Sequence, residues 1–311
     1  MHSAKDQARG AIITLLGGCL WGLSGSCGQF LFENKGVTSQ WLVPIRLLVA
    51  GLLLLLFLWG KSGKAIFAPW RNKKDALQLL IFGIFGMMLC QYSYFTAIQH
   101  SNAGTATVLQ YLNPAMILCF VCLKKRIRPV KMEVVAMLLA LLGTFLLATQ
   151  GNLSSLAISP AALFWGIASA VFAAVYTLYP ESLLEKYGAA LINGWGMLIG
   201  GLVLSLFVRP WSIPVRADAQ LALVFAVIIL FGTIAAFTLY LGGVKIVGPT
   251  KGSLYASIEP VSATVISVLW LHVAFSWIDL VGFICILSTI FLLAFAKSSG
   301  GEEAPCGELE A

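Results

Sequence analysis

Long runs of residues without a charged side chain recur along this chain of 311 residues. A helix that crosses the hydrocarbon core of a membrane needs about 20 predominantly apolar residues. Residues 10–32 and 187–208 each contain one such run, and residues 76–123 and 134–180 are each long enough for two crossings. The composition agrees, because 59% of the residues are hydrophobic and 11% are charged, whereas soluble domains average roughly 45–50% and about 25%. The chain is therefore predicted to be an integral membrane protein, surrounded by a lipid bilayer.

Polar or helix-breaking segments divide the two double-length runs. QHSNAG at residues 99–104 interrupts the first, and QGNLSSLAISP at residues 150–160 interrupts the second. The prediction is an all-α integral membrane fold of ten transmembrane helices, near residues 10–32, 38–59, 76–98, 103–123, 132–149, 160–180, 188–208, 220–243, 250–270 and 277–296.

Lysine and arginine residues are distributed unevenly between alternate loops. Of the 20 such residues, sixteen lie in or beside one set of loops and three lie in the other set, while Arg46 lies within the second helix. By the positive-inside rule, both termini are predicted to be cytoplasmic. The formal net charge of +7 is then explained by cytoplasmic loops that face anionic headgroups. No nucleic-acid partner is expected.

The two halves of the chain contain similar segments. Residues 94–118 align without gaps with residues 240–264, which sets Asn113-Pro114 opposite Glu259-Pro260. Because each half has five predicted helices, the second half begins on the opposite side of the membrane, and the halves are predicted to be inverted repeats. Such repeats are typical of transporters. The predicted division is a cytoplasmic tail 1–9, a first repeat 10–149, an external linker 150–159, a second repeat 160–296 and a cytoplasmic tail 297–311.

Several segments carry a resemblance to a known family. They include LWGLSGS in the first helix, SNAGTATVLQYLNPAMIL in the fourth and SLYASIEPVSATVISVLWL in the ninth. In these segments, and over nearly all of residues 10–296, the chain resembles the EamA family of the drug/metabolite transporter superfamily, and within it the YicL-like branch. The resemblance implies ten helices, cytoplasmic termini, a location in the cytoplasmic (inner) membrane, and export of amino acids, related metabolites or toxic organic compounds.

Glu259 is predicted to lie near the middle of the membrane. A helix that enters near residue 250 reaches it after about nine residues, or roughly 14 Å. A charge at that depth costs about 2.5–3.5 kcal/mol and usually faces a cavity or a partner. Lys251 and Tyr255 precede Glu259 at four-residue spacing, so all three are predicted to share one cavity-facing side of the helix. Glu259 could bind the ammonium group of a solute or carry a proton, or it could be a structural residue that holds a kink.

Gln110 and Asn113 occupy the corresponding place in the fourth helix. Their amide groups both donate and accept hydrogen bonds, so they suit a zwitterionic solute or a contact between helices. Pro114 and Pro260 are predicted to kink their helices, because each leaves the carbonyl four residues earlier without its usual donor.

Other candidates lie on four further helices. The sixth helix carries an aromatic stripe that includes Trp165 and Tyr176, which suits either an apolar or cationic substrate or packing against lipid. Arg46, deep in the second helix, is assigned a structural role. Weaker candidates for substrate binding have polar tips in the first, third and eighth helices, namely Trp21, Ser24, Gln91, Tyr94 and Tyr240.

No catalytic group, metal site or cofactor is predicted, because the three histidines do not cluster and no nucleotide-binding motif is present. The sequence predicts a secondary-active or facilitative carrier that exports amino acids or small amphipathic metabolites by alternating access, with proton coupling as a separate hypothesis. An importer or exchanger, a multidrug exporter and a membrane-embedded structural or sensory partner stay open as alternatives. So does the choice between a monomer and a homodimer.

Overall fold

The computed structural model describes residues 4–101, 103–126, 128–149, 151–152, 159–271 and 276–299. Over these residues the regular structure is helical throughout, without a strand, so the all-α prediction is confirmed. The α-helices are α1 (Ala4–Lys35), α2 (Ser39–Ser62), α3 (Lys73–Ile81), α4 (Leu89–Gln99), α5 (Ala103–Gln110), α6 (Asn113–Lys125), α7 (Lys131–Thr149), α8 (Pro160–Leu178), α9 (Glu181–Tyr187), α10 (Ala189–Val208), α11 (Ala219–Ile229), α12 (Ala236–Val247), α13 (Pro249–Tyr255), α14 (Ile258–Leu271) and α15 (Trp277–Ser299).

Eight helical segments of the described residues are long and apolar enough to cross a membrane, and a shorter apolar helix follows at Trp277–Leu292. The chain is therefore a multi-pass membrane protein. The predicted linker 150–159 and the tail 297–311 fall largely outside the described residues. The eight segments are Lys5–Lys35, Ser39–Arg71, Lys73–Gln99, Ala103–Lys125, Pro160–Leu178, Ala189–Val208, Ala219–Val247 and Pro249–Trp270.

Two of these segments contain a π-helical stretch between two α-helices. A π-helical stretch, Phe82–Met88, connects α3 to α4, and a second one, Leu230–Ala235, connects α11 to α12. Such π-helical insertions are rare and frequently lie at functional sites. Both stretches come a few residues before a tyrosine that the sequence alignment pairs, Tyr94 in α4 and Tyr240 in α12.

Helices from the two halves of the chain pack against each other in a reciprocal way. From the first half, α1 packs on α12 and α14; from the second half, α8 packs on α4 and α5. In addition, α2 packs on α10 and α7 packs on α15. The α2–α10 contact is close at Gly51, where an added Cβ would lie 2.5 Å from the backbone nitrogen of Leu198. Only a residue without a side chain allows this approach.

The fourth and ninth predicted helices are both broken. A turn at residues 111–112 separates α5 from α6, and a turn at residues 256–257 separates α13 from α14. Pro114 and Pro260 fall in the first turn of the second half-helix in each case, where a missing backbone N–H removes no helical hydrogen bond. The structure therefore has two separate half-helices at each of these places instead of one kinked helix.

Candidate functional site

A central cavity lies where the two broken helices meet the packed helices α1, α2, α4, α8 and α12. It offers about 60 Å³ of space, enough for a few water molecules. Its aromatic lining consists of Trp21, Tyr94, Phe95, Tyr111, Tyr176, Phe237 and Tyr240. Its polar lining consists of Ser24, Arg46, Gln91, Gln110, Asn113, Thr177, Ser253 and Glu259, and Cys90 also lines it.

Glu259 is buried at the start of α14, with 5% of its surface exposed. The hydroxyl of Tyr94, on α4, lies 3.1 Å from its Oε1 and donates to it. The same hydroxyl lies 2.9 Å from the Oγ1 of Thr107, on α5. One tyrosine of the first half thus links the carboxylate of the second half to the other broken helix.

The break before Glu259 is stabilised from both sides. The backbone carbonyl of Ala256 lacks a donor from Pro260, and the hydroxyl of Tyr111 donates to it at 2.6 Å, as does the backbone N–H of Glu259 at 2.9 Å. On α1, an added Cβ at Gly22 would lie 2.5 Å from the backbone oxygen of Glu259. The sequence analysis expected the Ala256 carbonyl to be free, but the turn and Tyr111 satisfy it.

Arg46, to which the sequence analysis assigned a structural role, also lines this cavity. Its side chain is 1% exposed, and its guanidinium carbon lies 4.5 Å from the centroid of the Phe95 ring. Its Nε and Nη1 atoms have no hydrogen-bond partner among the described residues. A charge deep in an apolar helix is the signal that indicates such a position.

Several other buried polar atoms of the lining lack partners within the described part of the chain. Buried polar groups in folded proteins are nearly always hydrogen-bonded. Unpaired atoms that share one cavity therefore indicate a place that water or a solute occupies. Besides Arg46, these atoms are Trp21 Nε1, Ser24 Oγ, Gln91 Nε2 and Asn113 Oδ1.

Aromatic side chains form one wall of the cavity. The Trp21 ring lies 4.6 Å from the Tyr240 ring and 4.8 Å from the Phe237 ring, between centroids. The Tyr176 hydroxyl donates to Asn193 Oδ1 at 3.1 Å, and the Tyr240 hydroxyl is 2.9 Å from Thr177 Oγ1. Because the tyrosine hydroxyls have protein partners, this wall presents mainly ring surface to the cavity.

Three predicted binding residues do not line the cavity. Lys251 lies in a separate depression that also contains Glu133. Tyr255 is buried against Ala136, and Trp165 packs edge-on against Tyr92 at 5.5 Å between centroids. The expectation that Lys251, Tyr255 and Glu259 share one side is not met, because the turn at residues 256–257 changes the direction of the side chains that follow it.

The structure brings together the other predicted residues and adds some that the sequence analysis did not propose for binding. The added residues with polar or reactive side chains are Arg46, Cys90, Tyr111, Thr177 and Ser253. Tyr111 lies in the turn beside the Asn-Pro pair, so a search around that pair could have found it. Nine of the predicted residues line the cavity, namely Trp21, Ser24, Gln91, Tyr94, Gln110, Asn113, Tyr176, Tyr240 and Glu259.

Two ion pairs lie away from the cavity at opposite ends of the bundle. Lys35 Nζ, at the end of α1, is 2.6 Å from Asp218 Oδ2, and Lys186 Nζ is 2.8 Å from Asp75 Oδ1. The Lys186–Asp75 pair lies near the start of α1. Gln7 in α1 donates to the carbonyl of Ile246, and the neighbouring Lys245 donates to the carbonyl of Glu185 in α9, next to Lys186. The Lys35 ammonium and the backbone N–H of Leu221 hold the pKa of Asp218 below its usual range.

Comparison with known proteins places these features in a family. The EamA-like transporter family matches residues 8–149 and again residues 160–295. The uncharacterized inner membrane transporter YicL of Salmonella typhimurium is 42% identical, over 92% of this chain and 95% of its own length. The uncharacterized transporter YetK of Bacillus subtilis is 28% identical over 81% of this chain and 77% of its own.

A further transporter and a solved structure extend the comparison. The uncharacterized inner membrane transporter YedA of Escherichia coli is 28% identical over 80% of each chain. A protein of known crystal structure superposes with a TM-score of 0.75 at 18% identity, over 94% of this chain and 99% of its own. At that identity, the likeness shows that the two proteins share a fold.

Proposed function

The chain belongs to the EamA-like transporter family, and from this premise we propose that it is a secondary-active or facilitative carrier that exports small amphipathic solutes. Its relatives are named as inner membrane transporters, which supports a small-molecule substrate and a location in the inner membrane. The amino acids and their derivatives are the substrate class that we propose, moved by alternating access through the central cavity. Importers and exchangers share this architecture, so the direction rests on the family resemblance.

The observation that carries the proposal is the chemistry of the cavity. A buried carboxylate, Glu259, lies in the same space as an aromatic wall and as polar atoms that have no partner among the described residues. A carboxylate attracts an ammonium group, and ring surface suits an apolar side chain or an organic cation. We propose that Glu259 binds the ammonium group of the solute and that Gln110 and Asn113 make further polar contacts with it.

Alternating access is supported by features that recur in both halves of the chain. Each half has a π-helical stretch. Each half also has a helix that is broken just before a dipeptide ending in proline, Asn113-Pro114 in the first half and Glu259-Pro260 in the second. The reciprocal packing of α1 and α8 and the two family matches follow the same division. These features favour ten spans in two inverted five-helix repeats, residues 10–149 and 160–296. The excess of lysine and arginine in alternate loops favours cytoplasmic termini.

Transport by purified protein in liposomes tests the proposal. The substitution Glu259→Gln keeps the shape of the side chain and removes its charge, while Glu181→Gln makes the same change at an exposed position of α9. We expect uptake of an amino acid or amine from a broad panel to be lost in Glu259→Gln and retained in Glu181→Gln. Equal uptake by the two variants would contradict the role of Glu259. No uptake of any solute would favour a structural or sensory partner protein.

The aromatic wall favours a multidrug exporter as a second candidate. Trp21, Tyr240 and Phe237 present ring surface close to a carboxylate, and this combination binds organic cations in many proteins. Aromatic cations belong in the same transport panel for this reason. Uptake of these cations, without uptake of amino acids, would select the multidrug function.

Proton coupling is a separate part of the proposal. Glu259 is the carboxylate that the cavity contains, so we propose it as the proton carrier when the solute is absent. An imposed pH gradient across the liposome membrane should then drive uptake. Uptake that does not respond to the gradient would identify a facilitator.

A further inference from the structure

The cavity contains a buried cation as well as a buried carboxylate. Arg46 lies about two turns into α2, between fully buried apolar neighbours such as Val43 and Leu47. No carboxylate of the described residues lies within ion-pair distance of it, and its recorded contact is the face of the Phe95 ring at 4.5 Å. A buried charge without a counter-charge is strongly destabilising. Among the described residues, the guanidinium therefore lacks a direct partner, and the cavity leaves room for one from water or a solute.

The unpaired groups that share the cavity with Arg46 are mainly donors. The guanidinium of Arg46 and the indole of Trp21 donate only and cannot accept, and Arg46 Nε and Nη1 and Trp21 Nε1 have no acceptor within the described part of the chain. The amide nitrogen Nε2 of Gln91, a residue that is 3% exposed, also has no acceptor among the described residues. Flipping the Gln91 amide would exchange its N–H donors for a carbonyl acceptor, but Arg46 and Trp21 can only donate. What these groups lack is an acceptor, and an oxyanion is the acceptor that a guanidinium fork binds best.

Glu259 does not supply this acceptor. Its Oε1 accepts from the Tyr94 hydroxyl, and its carboxylate forms no ion pair with Arg46 within the described residues. Tyr94 and Phe95 are neighbours in the chain, so one residue contacts the carboxylate and the next contacts the guanidinium. Arg46 and Glu259 therefore line one cavity but would contact different groups of a bound solute.

We propose that Arg46 is an anion-binding residue of the cavity, which holds a carboxylate or phosphate oxyanion of the transported solute, with Trp21 and Gln91 as additional donors. This inference rests on the proposed function, since it assigns the solute a second charged group. It also makes Arg46 a residue that determines specificity, because a solute without the oxyanion leaves the guanidinium unpaired.

Three phenyl compounds test the inference by calorimetric titration of the purified protein. The compounds are 3-phenylpropionate, phenyl phosphate and phenethylamine, which share the ring and differ in the charged group. The variant Arg46→Gln removes the charge, and Arg46→Lys retains the charge but loses the planar fork. The matched control is Arg216→Gln, at an exposed position in a loop.

We expect at least one of the two anions to bind the wild-type protein and the Arg216→Gln protein equally. We expect roughly 10- to 100-fold weaker binding by Arg46→Gln, from the loss of a charged hydrogen bond, with Arg46→Lys in between. The better of the two anions identifies a carboxylate or a phosphate as the group that is recognised. Equal affinity of the wild-type and Arg46→Gln proteins for both anions would overturn the inference, and so would the absence of anion binding by the wild-type protein.

Cys90 provides a second measurement on a protein with an intact Arg46. This residue lines the cavity, so a variant that keeps it and has the other cysteines replaced by serine reports on occupancy. The bound anion should slow the reaction of Cys90 with a methanethiosulfonate reagent, whereas phenethylamine at the same concentration should slow it less. Equal protection by the two compounds would count against the inference even if the Arg46 variants failed to fold.

The outcomes for Arg46 and for the proposed function can be separated. Uptake of amines that depends on Glu259 and is unchanged in Arg46→Gln would retain the carrier and remove the anion subsite. Anion binding that depends on Arg46, in a protein whose uptake is unaffected by Glu259→Gln, would retain the subsite and remove the proposed role of the carboxylate.

Discussion

The contact between Gly22 and Glu259 allows one prediction to be worked out in detail. An ideal Cβ at residue 22 would lie 2.5 Å from the backbone oxygen of Glu259 and 2.8 Å from the backbone nitrogen of Ala263. Both neighbours are backbone atoms, so no side-chain rotation relieves the overlap. Replacement of Gly22 by alanine must therefore push α1 and α14 apart.

The expected cost is that of an overpacked core. Overpacking typically destabilises by about 1–3 kcal/mol, and the gain in helix preference from glycine to alanine, about 0.5–1 kcal/mol, offsets only part of it. We expect Gly22→Ala to lower the midpoint of thermal unfolding in detergent by several degrees. Transport should fall as well, because the displaced segment carries Glu259.

The control substitution is Gly242→Ala in α12. An added Cβ there meets only the Cδ1 of Ile13, at 3.9 Å, which is an ordinary van der Waals distance. We expect this variant to equal or slightly exceed the wild-type protein in stability. If Gly22→Ala unfolded at the same temperature as the control and transported at the same rate, the reasoning about the α1–α14 contact would be refuted.

Three further predictions follow from other contacts. Tyr111→Phe removes the 2.6 Å donor to the Ala256 carbonyl but leaves the backbone N–H of Glu259 in place, so thermal unfolding should reveal a loss of about 0.5–1.5 kcal/mol. The Lys35–Asp218 ion pair stabilises the fold above the normal pKa of an aspartate, about 3.9, and is lost as the pH falls through the lowered pKa of Asp218. The difference in unfolding midpoint between wild type and Lys35→Met should therefore be constant from pH 5 to 8 and shrink only in stronger acid. Cys90 is buried, so it should react with small thiol reagents only when the cavity opens, and a saturating transported solute should slow that reaction, as mass spectrometry can measure.

Much of the fold could be predicted from the sequence because the protein is embedded in a membrane. Apolar runs of sufficient length identify helices without knowledge of their neighbours, and the EamA resemblance, now confirmed by the family match, rests on local segments. The pairing of Asn113-Pro114 with Glu259-Pro260 also indicated where the chain is broken. These are properties of short stretches, which sequence reasoning handles well.

The errors concern the rotation of helices about their axes. Lys251 and Tyr255 were placed beside Glu259 by counting along one helix, which fails across the turn at residues 256–257. Arg46 was assigned a structural role because the second helix was not expected at the centre, and nothing in that helix shows which side faces the cavity that it lines. That side is set by the contact of α2 with α10 at Gly51, between residues far apart in the chain.

The two ion pairs at opposite ends of the bundle bear on how the molecule would move. Each joins a lysine at the end of one helix to an aspartate at the beginning of another, and both are closed together, Lys35 on Asp218 and Lys186 on Asp75. If the carrier works by alternating access, as proposed above, the cavity opens to one compartment at a time. Opening toward one compartment would require release of one pair while the other holds, so neutralising a single aspartate should leave the resting molecule facing one side.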